Sequence, residues 1–192
     1  MITVDNLCVS YDGRPVLRDL SFSVAPGEHV ALMGPSGCGK STLAHALLGL
    51  LAPDAGTIRV EGTVACVFQD LRLLPWCTAL ENIRAVLLRG ESQWAALCLE
   101  RVGLAQAANR YPAELSGGML QRLALARALA VRADILLLDE PFRALDETTR
   151  AHMLSLVKET AAEQTLLLIT HAPEEAEALT HRTIRVNGDS SR

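Results

Sequence analysis

Apolar and polar residues alternate over residues 2–10, and a second short alternating run follows at 20–24. Turn pairs Asp12-Gly13 and Pro26-Gly27 close these two runs, so they predict antiparallel strands at the start of the chain. The run His-Val-Ala-Leu-Met at 29–33 is a buried-type strand, followed by a glycine-rich turn and a helical pattern over 40–50 that stops before Pro53. Short strands are predicted at 57–60 and 63–68, after which the spacing becomes helical as far as Ala130. Strands return at 135–139 and 166–170 around a helix near 147–163, and a last strand is predicted at 182–186 before a frayed tail at 187–192. Alternating strands and helices imply an α/β fold with a mainly parallel sheet. The expected organisation is a single domain over 1–192, with a core at about 1–70 and 132–192 that carries an N-terminal antiparallel β subdomain. An α-helical subdomain at about 71–131 is inserted into it.

Composition narrows the class. Apolar residues make up 49% and charged residues 21% of the 192 positions, which suits a packed core rather than a disordered chain. The basic residues are scattered and the net charge is −4, so a nucleic-acid-binding face is not expected. Cys8, Cys38, Cys66, Cys77 and Cys98 form no C-x-x-C pair, which argues against a disulfide framework or zinc site and fits the reducing cytoplasm. No run approaches the ~18–20 apolar residues that cross a bilayer, and the first residues read as a strand rather than a signal peptide. The chain is therefore expected not to form a pore.

Three motifs carry chemistry. Gly34-Pro35-Ser36-Gly37-Cys38-Gly39-Lys40-Ser41-Thr42 fits G-x-x-x-x-G-K-[ST] between a predicted strand and a predicted helix, the setting of a P-loop NTPase core. There, backbone N–H groups and the helix N-terminus face phosphate oxygens, Lys40 reaches the β and γ phosphates of ATP, and the Ser41 hydroxyl binds Mg²⁺. A chance glycine-rich turn is the bland alternative. The strand ending in Asp139-Glu140-Pro141 offers Asp139 to Mg²⁺ and Glu140 as a general base for water, or else two acids that cap the next helix. The run Leu115-Ser116-Gly117-Gly118 opens a helix to about Ala130; Ser116 is either a plain N-cap or, with Gly117 and Gly118, a second anion-facing helix end.

Together, in this order, the motifs make the whole chain resemble the ABC ATPases, whose signature is LSGG. The resemblance implies that Ser116, Gly117 and Gly118 touch the γ-phosphate of ATP held by a second ATP-binding subunit, most simply an identical copy, so that neither subunit alone has a complete site. It assigns Gln69 to linking Mg²⁺ and the attacking water to the membrane-facing subdomain, and His171 to contact with the γ-phosphate and support of Glu140. It also places Ala144-Leu145-Asp146 across the dimer interface. Tyr11 resembles the aromatic that stacks on adenine, although a core tyrosine fits the sequence as well. The phrases around Trp76, Tyr111 and Phe142 are similar to the importer branch for nitrate, taurine and aliphatic sulfonates. This implies an ATPase at the inner face of the cell membrane, served by integral permease subunits and a separate solute-binding protein. The permease would meet the segment 71–83, bounded by Leu71 and Ile83, with Trp76 at its centre or, alternatively, buried in the helical subdomain.

Two positions depart from that pattern: Arg143 stands where a small hydroxyl residue is expected, and Ala172 where an aspartate is frequent. The chain also ends soon after His171, shorter than most members of the branch. A soluble ABC ATPase outside transport would usually show tandem cassettes, a coiled-coil insertion or a basic surface. A catalytically weak nucleotide-binding regulatory subunit is the remaining competitor.

Overall fold

The computed structural model describes residues 1–11, 13–88 and 91–186. Asp12 and the predicted tail at 187–192 lie outside the described residues. Strand β1 (Ile2–Tyr11) pairs antiparallel with β2 (Arg14–Val24) on one side and β4 (Ala55–Val60) on the other. The slip in its alternation at Asp5-Asn6 is a bulge: the register shifts between Val4 and Leu7, and Asn6 adopts φ +47°, its N–H donating to Ser21 Oγ at 2.8 Å. Because the bulge takes up the extra residue, Ile2, Val4, Leu7 and Val9 all reach the core.

The second sheet has the order β5-β6-β7-β3-β8, comprising β3 (His29–Met33), β5 (Val64–Val67), β6 (Ile135–Asp139), β7 (Thr165–Ile169) and β8 (Arg182–Arg185), and every described pairing in it is parallel. Its central strands are apolar at nearly every position because both faces are covered. Ile135 and Leu137 point into one core with β1, β2 and helix α1 (Lys40–Leu47). Leu136 and Leu138 point into the other, with α2 (Ala79–Arg84), α3 (Ser92–Arg101), α4 (Gly117–Ala130) and α5 (Glu147–Thr160). The helices between β5 and β6 thus share one core with the sheet. A further helix, α6 (Pro173–Leu179), follows β7. Among the described residues no helix is long and apolar enough to cross a membrane.

Several expected boundaries change. Helix α1 ends at Leu47 rather than residue 50, because Gly49 turns left-handed at φ +68° and sends its N–H to Ala46 O and that of Leu50 to His45 O. Strand β2 begins at Arg14, well before the alternating run at residue 20, since pairing with β1 and the buried Leu17 hold its first half. The helical stretch is broken by 3₁₀ turns at Ala105–Ala107 and Pro112–Glu114. Helix α2 is fixed at its start by reciprocal bonds, Glu81 N–H to Thr78 Oγ1 at 3.3 Å and Thr78 N–H to Glu81 Oε2 at 2.7 Å. Helix α5 stops at Thr160, three residues before the expected end, and the edges of β4, β5, β7 and β8 differ from expectation by one or two residues.

Candidate active site

Parallel pairing puts the C-terminal ends of β3, β5, β6 and β7 on one edge, where open α/β sheets bind their ligands. Leu32 and Asp139 both lie level with Ile169, and Val67 lies level with Leu138. The loop after β3, Gln69 after β5, Asp139 and Glu140 at the end of β6, and His171 after β7 therefore converge. A cleft of about 340 Å³ is lined by Tyr11, Ser36, Gly37, Gly39, Lys40, Ser41, Thr42, Gln69, Asp139 and Glu140. An adjoining cleft of about 520 Å³ shares Ser36, Lys40, Gln69 and Glu140 with it and adds His171 and Arg143.

Gly39 is the N-cap of α1 at φ +99°, and a Cβ there would come within 2.7 Å of Leu17 Cδ2 and 2.8 Å of Val16 Cγ1. Both the backbone angle and the close approach of β2 demand glycine. No side chain caps the helix, so its first N–H groups are left to face the cleft. Lys40 is buried and lies back across the loop, its Nζ donating to Gly34 O at 2.8 Å and Pro35 O at 2.9 Å, with Cys38 Sγ at 3.7 Å. Gly34, Pro35 and Cys38 thus hold the lysine rather than line the cleft.

Burial raises the Asp139 carboxyl above its usual range; a hydrogen bond from Ser41 and the charge of Lys40 pull the other way, while Glu140 adds to the rise. Ser41 and Asp139 therefore already face each other. Together with the Gln69 amide in the same cleft, they form a set of hard oxygen donors with few protein ligands. That set fits Mg²⁺, which keeps much of its water, better than an ion needing an all-protein cage. Among the described residues there is no group of three or more His, Cys, Asp or Glu side chains that could hold a metal.

Glu140 has φ +48°, a strained angle for a residue with a side chain. Its N–H is held by Ile169 O at 2.9 Å and its carbonyl accepts from Gln121 Nε2 at 3.5 Å. The turn aims its carboxylate at His171, with Nδ1 3.1 Å from Oε1. The alternative in which these two acids cap the next helix fails, because Asp146 caps α5, its Oδ1 accepting from Thr149 N–H at 2.9 Å.

Tyr11 is 60% exposed at the rim of the cleft and Trp76 is 73% exposed on the helical side, so neither is the core residue that the sequence also allowed. Ser116 caps α4, accepting from Met119 N–H at 3.4 Å, and Gly117 and Gly118 start the helix beside Ala144. None of these three lines either cleft.

Two supports were not visible in the sequence. Thr170 donates its hydroxyl to the buried Glu175 and accepts from Ala172 N–H at 3.1 Å, bracing the loop that carries His171. Burial pushes the Glu175 carboxyl up, partly offset by Thr170 and by the charge of Arg150. Arg127 of α4 donates to Arg72 O and Leu71 O, both at 2.9 Å, and so holds the segment beyond Gln69. The only trace of it in the sequence is a basic residue inside the apolar run of α4.

The sequence pattern of the ABC transporter family matches residues 17–143, about two thirds of the chain. The chain belongs to the ABC transporter family. An aliphatic sulfonates import ATP-binding protein (SsuB) of Cupriavidus necator is 46% identical over 189 residues, covering 92% of this chain and 62% of that protein. This ABC chain therefore spans less than two thirds of that relative's length. The taurine import ATP-binding protein TauB of Pseudomonas aeruginosa is 42% identical over 213 residues, covering all of this chain and 80% of that protein. A solved dimeric ATP-binding cassette in a post-hydrolysis state, bound to ADP and phosphate, superposes with a TM-score of 0.90. It is 30% identical and covers 97% of this chain and 94% of its own.

Of the two departures from the ABC pattern, Ala172 is the N-cap of α6, with Pro173 as the first helical residue and no side-chain cap. Ala172→Asp is expected to stabilise the protein by about 0.5–2 kcal/mol, in the lower half of that range because Glu174 and Glu175 already crowd the first turn. Thermal unfolding checks it; an unchanged or lower Tm would mean that the cap cannot form.

Proposed function

We propose that this ABC chain binds and hydrolyses Mg-ATP as one of two face-to-face subunits, driving import of a small anion such as a sulfonate through separate membrane subunits. The observation that carries this reading is the separation of Ser116, Gly117 and Gly118 from the cleft that holds Lys40, Glu140 and His171. Two anion-facing helix ends in one chain that line no common cleft make sense when a second copy supplies the missing half. The dimeric structural relative and the import names of the sequence relatives support the same reading.

In this mechanism the N–H groups at the start of α1 and the Lys40 ammonium bind the phosphates, and Tyr11 offers a stacking face to the base. Lys40 must first leave the carbonyls of Gly34 and Pro35, so the loop trades internal bonds for phosphate bonds. Ser41, Asp139 and Gln69 would hold Mg²⁺, which neutralises charge on the β and γ phosphates. Glu140 accepts the proton of the attacking water, and His171 keeps its carboxylate aimed. Closure of the dimer on ATP and release after hydrolysis would move the segment 71–83 against permease subunits, with the exposed Trp76 at the contact and a solute-binding protein delivering cargo from the far side. The working place is the cytoplasmic face of the membrane.

The test is the size of Glu140→Gln by light scattering with and without Mg-ATP. A change from monomer to dimer only with Mg-ATP is expected; a protein that stays monomeric at saturating Mg-ATP sinks the composite site.

A further inference from the structure

The 520 Å³ cleft contains a cation that the mechanism above does not use. Arg143 is exposed there, alongside Ser36, Lys40, Gln69, Glu140 and His171. Among the described residues its guanidinium makes no hydrogen bond or ion pair, although the carboxylates of Glu140 and Glu174 line the same cleft. Its position is also fixed. The Arg143 N–H reaches back to Glu140 O at 3.4 Å and that of Leu145 to Phe142 O at 3.2 Å, so residues 140–145 form two successive turns. Phe142 is fully buried and Leu145 nearly so, which pins the loop on both sides of Arg143. Beyond it, a Cβ on Gly118 would lie 3.1 Å from Ala144 O, so α4 closes on the loop from behind. The base of a free five-donor fork is thus held at the cleft that Lys40, Glu140 and His171 line.

We propose that Arg143 binds the terminal phosphate of the nucleotide held by its own subunit, adding a second cation to Lys40 on the side where Glu140 and His171 act. This deepens the reading of the cleft as an ATP site and rests on it. Lys40 serves the phosphates from the loop side, and Arg143 meets the γ-phosphate from the side of β6. The contact exists for ATP and not for ADP, so it favours the triphosphate-bound state. A guanidinium offers two parallel donors to phosphate where an ammonium offers a point charge, so lysine should replace it only in part.

The experiment measures binding of the nonhydrolysable analogue AMPPNP and of ADP, each with Mg²⁺, to wild type, Arg143→Ala and Arg143→Lys. It is run at protein concentrations where light scattering reports monomers. Arg143→Ala is expected to weaken AMPPNP binding by about 10- to 100-fold, the range of a hydrogen bond to a charged group, and to leave ADP binding unchanged. Arg143→Lys should fall between. Equal weakening of both nucleotides, or unchanged AMPPNP binding, overturns the proposal. Wild type and Lys40→Ala serve as the reference pair: wild type must bind both nucleotides and Lys40→Ala neither. If wild type binds neither, the ATP reading itself falls, and the assignment of Arg143 with it.

Discussion

Glu140→Gln is expected to lower ATP turnover by about 10²- to 10⁴-fold, the contribution of a positioned general base, while Mg-ATP affinity stays close to wild type. The substitution keeps the size of the side chain and an oxygen for His171, and the backbone at φ +48° is held by Ile169 O and Gln121 whatever the side chain. What disappears is the ability to take a proton from water. Steady-state turnover together with equilibrium nucleotide binding separates the two effects. Turnover at the wild-type rate would show that another group is the base. A parallel loss of binding would show that Glu140 supports the cleft rather than the chemistry.

Phe142→Ala should have the largest effect on stability. Phe142 is completely buried between the sheet and α4, in the same core as Leu136, Leu138 and Leu168. Removing a buried ring of this kind costs about 3–5 kcal/mol. For a chain of this size, 1 kcal/mol corresponds to about 2–4 °C, so Tm should fall on the order of 10 °C. The same ring anchors the turns that hold Glu140 and Arg143, so activity should fall even at temperatures where the variant remains folded. A Tm within about 2 °C of wild type, less than 1 kcal/mol on that scale, would mean that the loop repacks without it.

Those parts of the fold and site that depend on local chemistry were legible in the sequence. The strands carrying Leu136 to Leu138 and Leu166 to Leu168 announce themselves because a sheet covered on both faces needs apolar residues at every position. The loop from Gly34 to Thr42 is legible because Gly39 can be nothing else at its backbone angle and contact distance. Where partners are remote in the chain, the signal vanishes. Arg14 to Asp19 look like a loop because Pro15, Arg18 and Asp19 break the alternation, yet pairing with β1 makes them all strand. Arg127 reaches across 55 residues to Arg72, and Thr170 finds Glu175 only because the turn after β7 folds back. The end of α1 is hidden for the opposite reason: Leu48, Leu50 and Leu51 continue the apolar count, but a left-handed Gly49 outweighs it.

The bonds from Arg127 to Leu71 O and Arg72 O join the far part of α4 to the segment that leaves Gln69. An α-helix rises 1.5 Å per residue, so Arg127 grips a stiff rod roughly 16 Å from its tip at Ser116. A pull on Gln69 from the cleft is therefore a pull on that rod. In the proposed dimer, the tip at Ser116 would swing when this subunit's own nucleotide comes or goes, with the arginine as the pin of a lever.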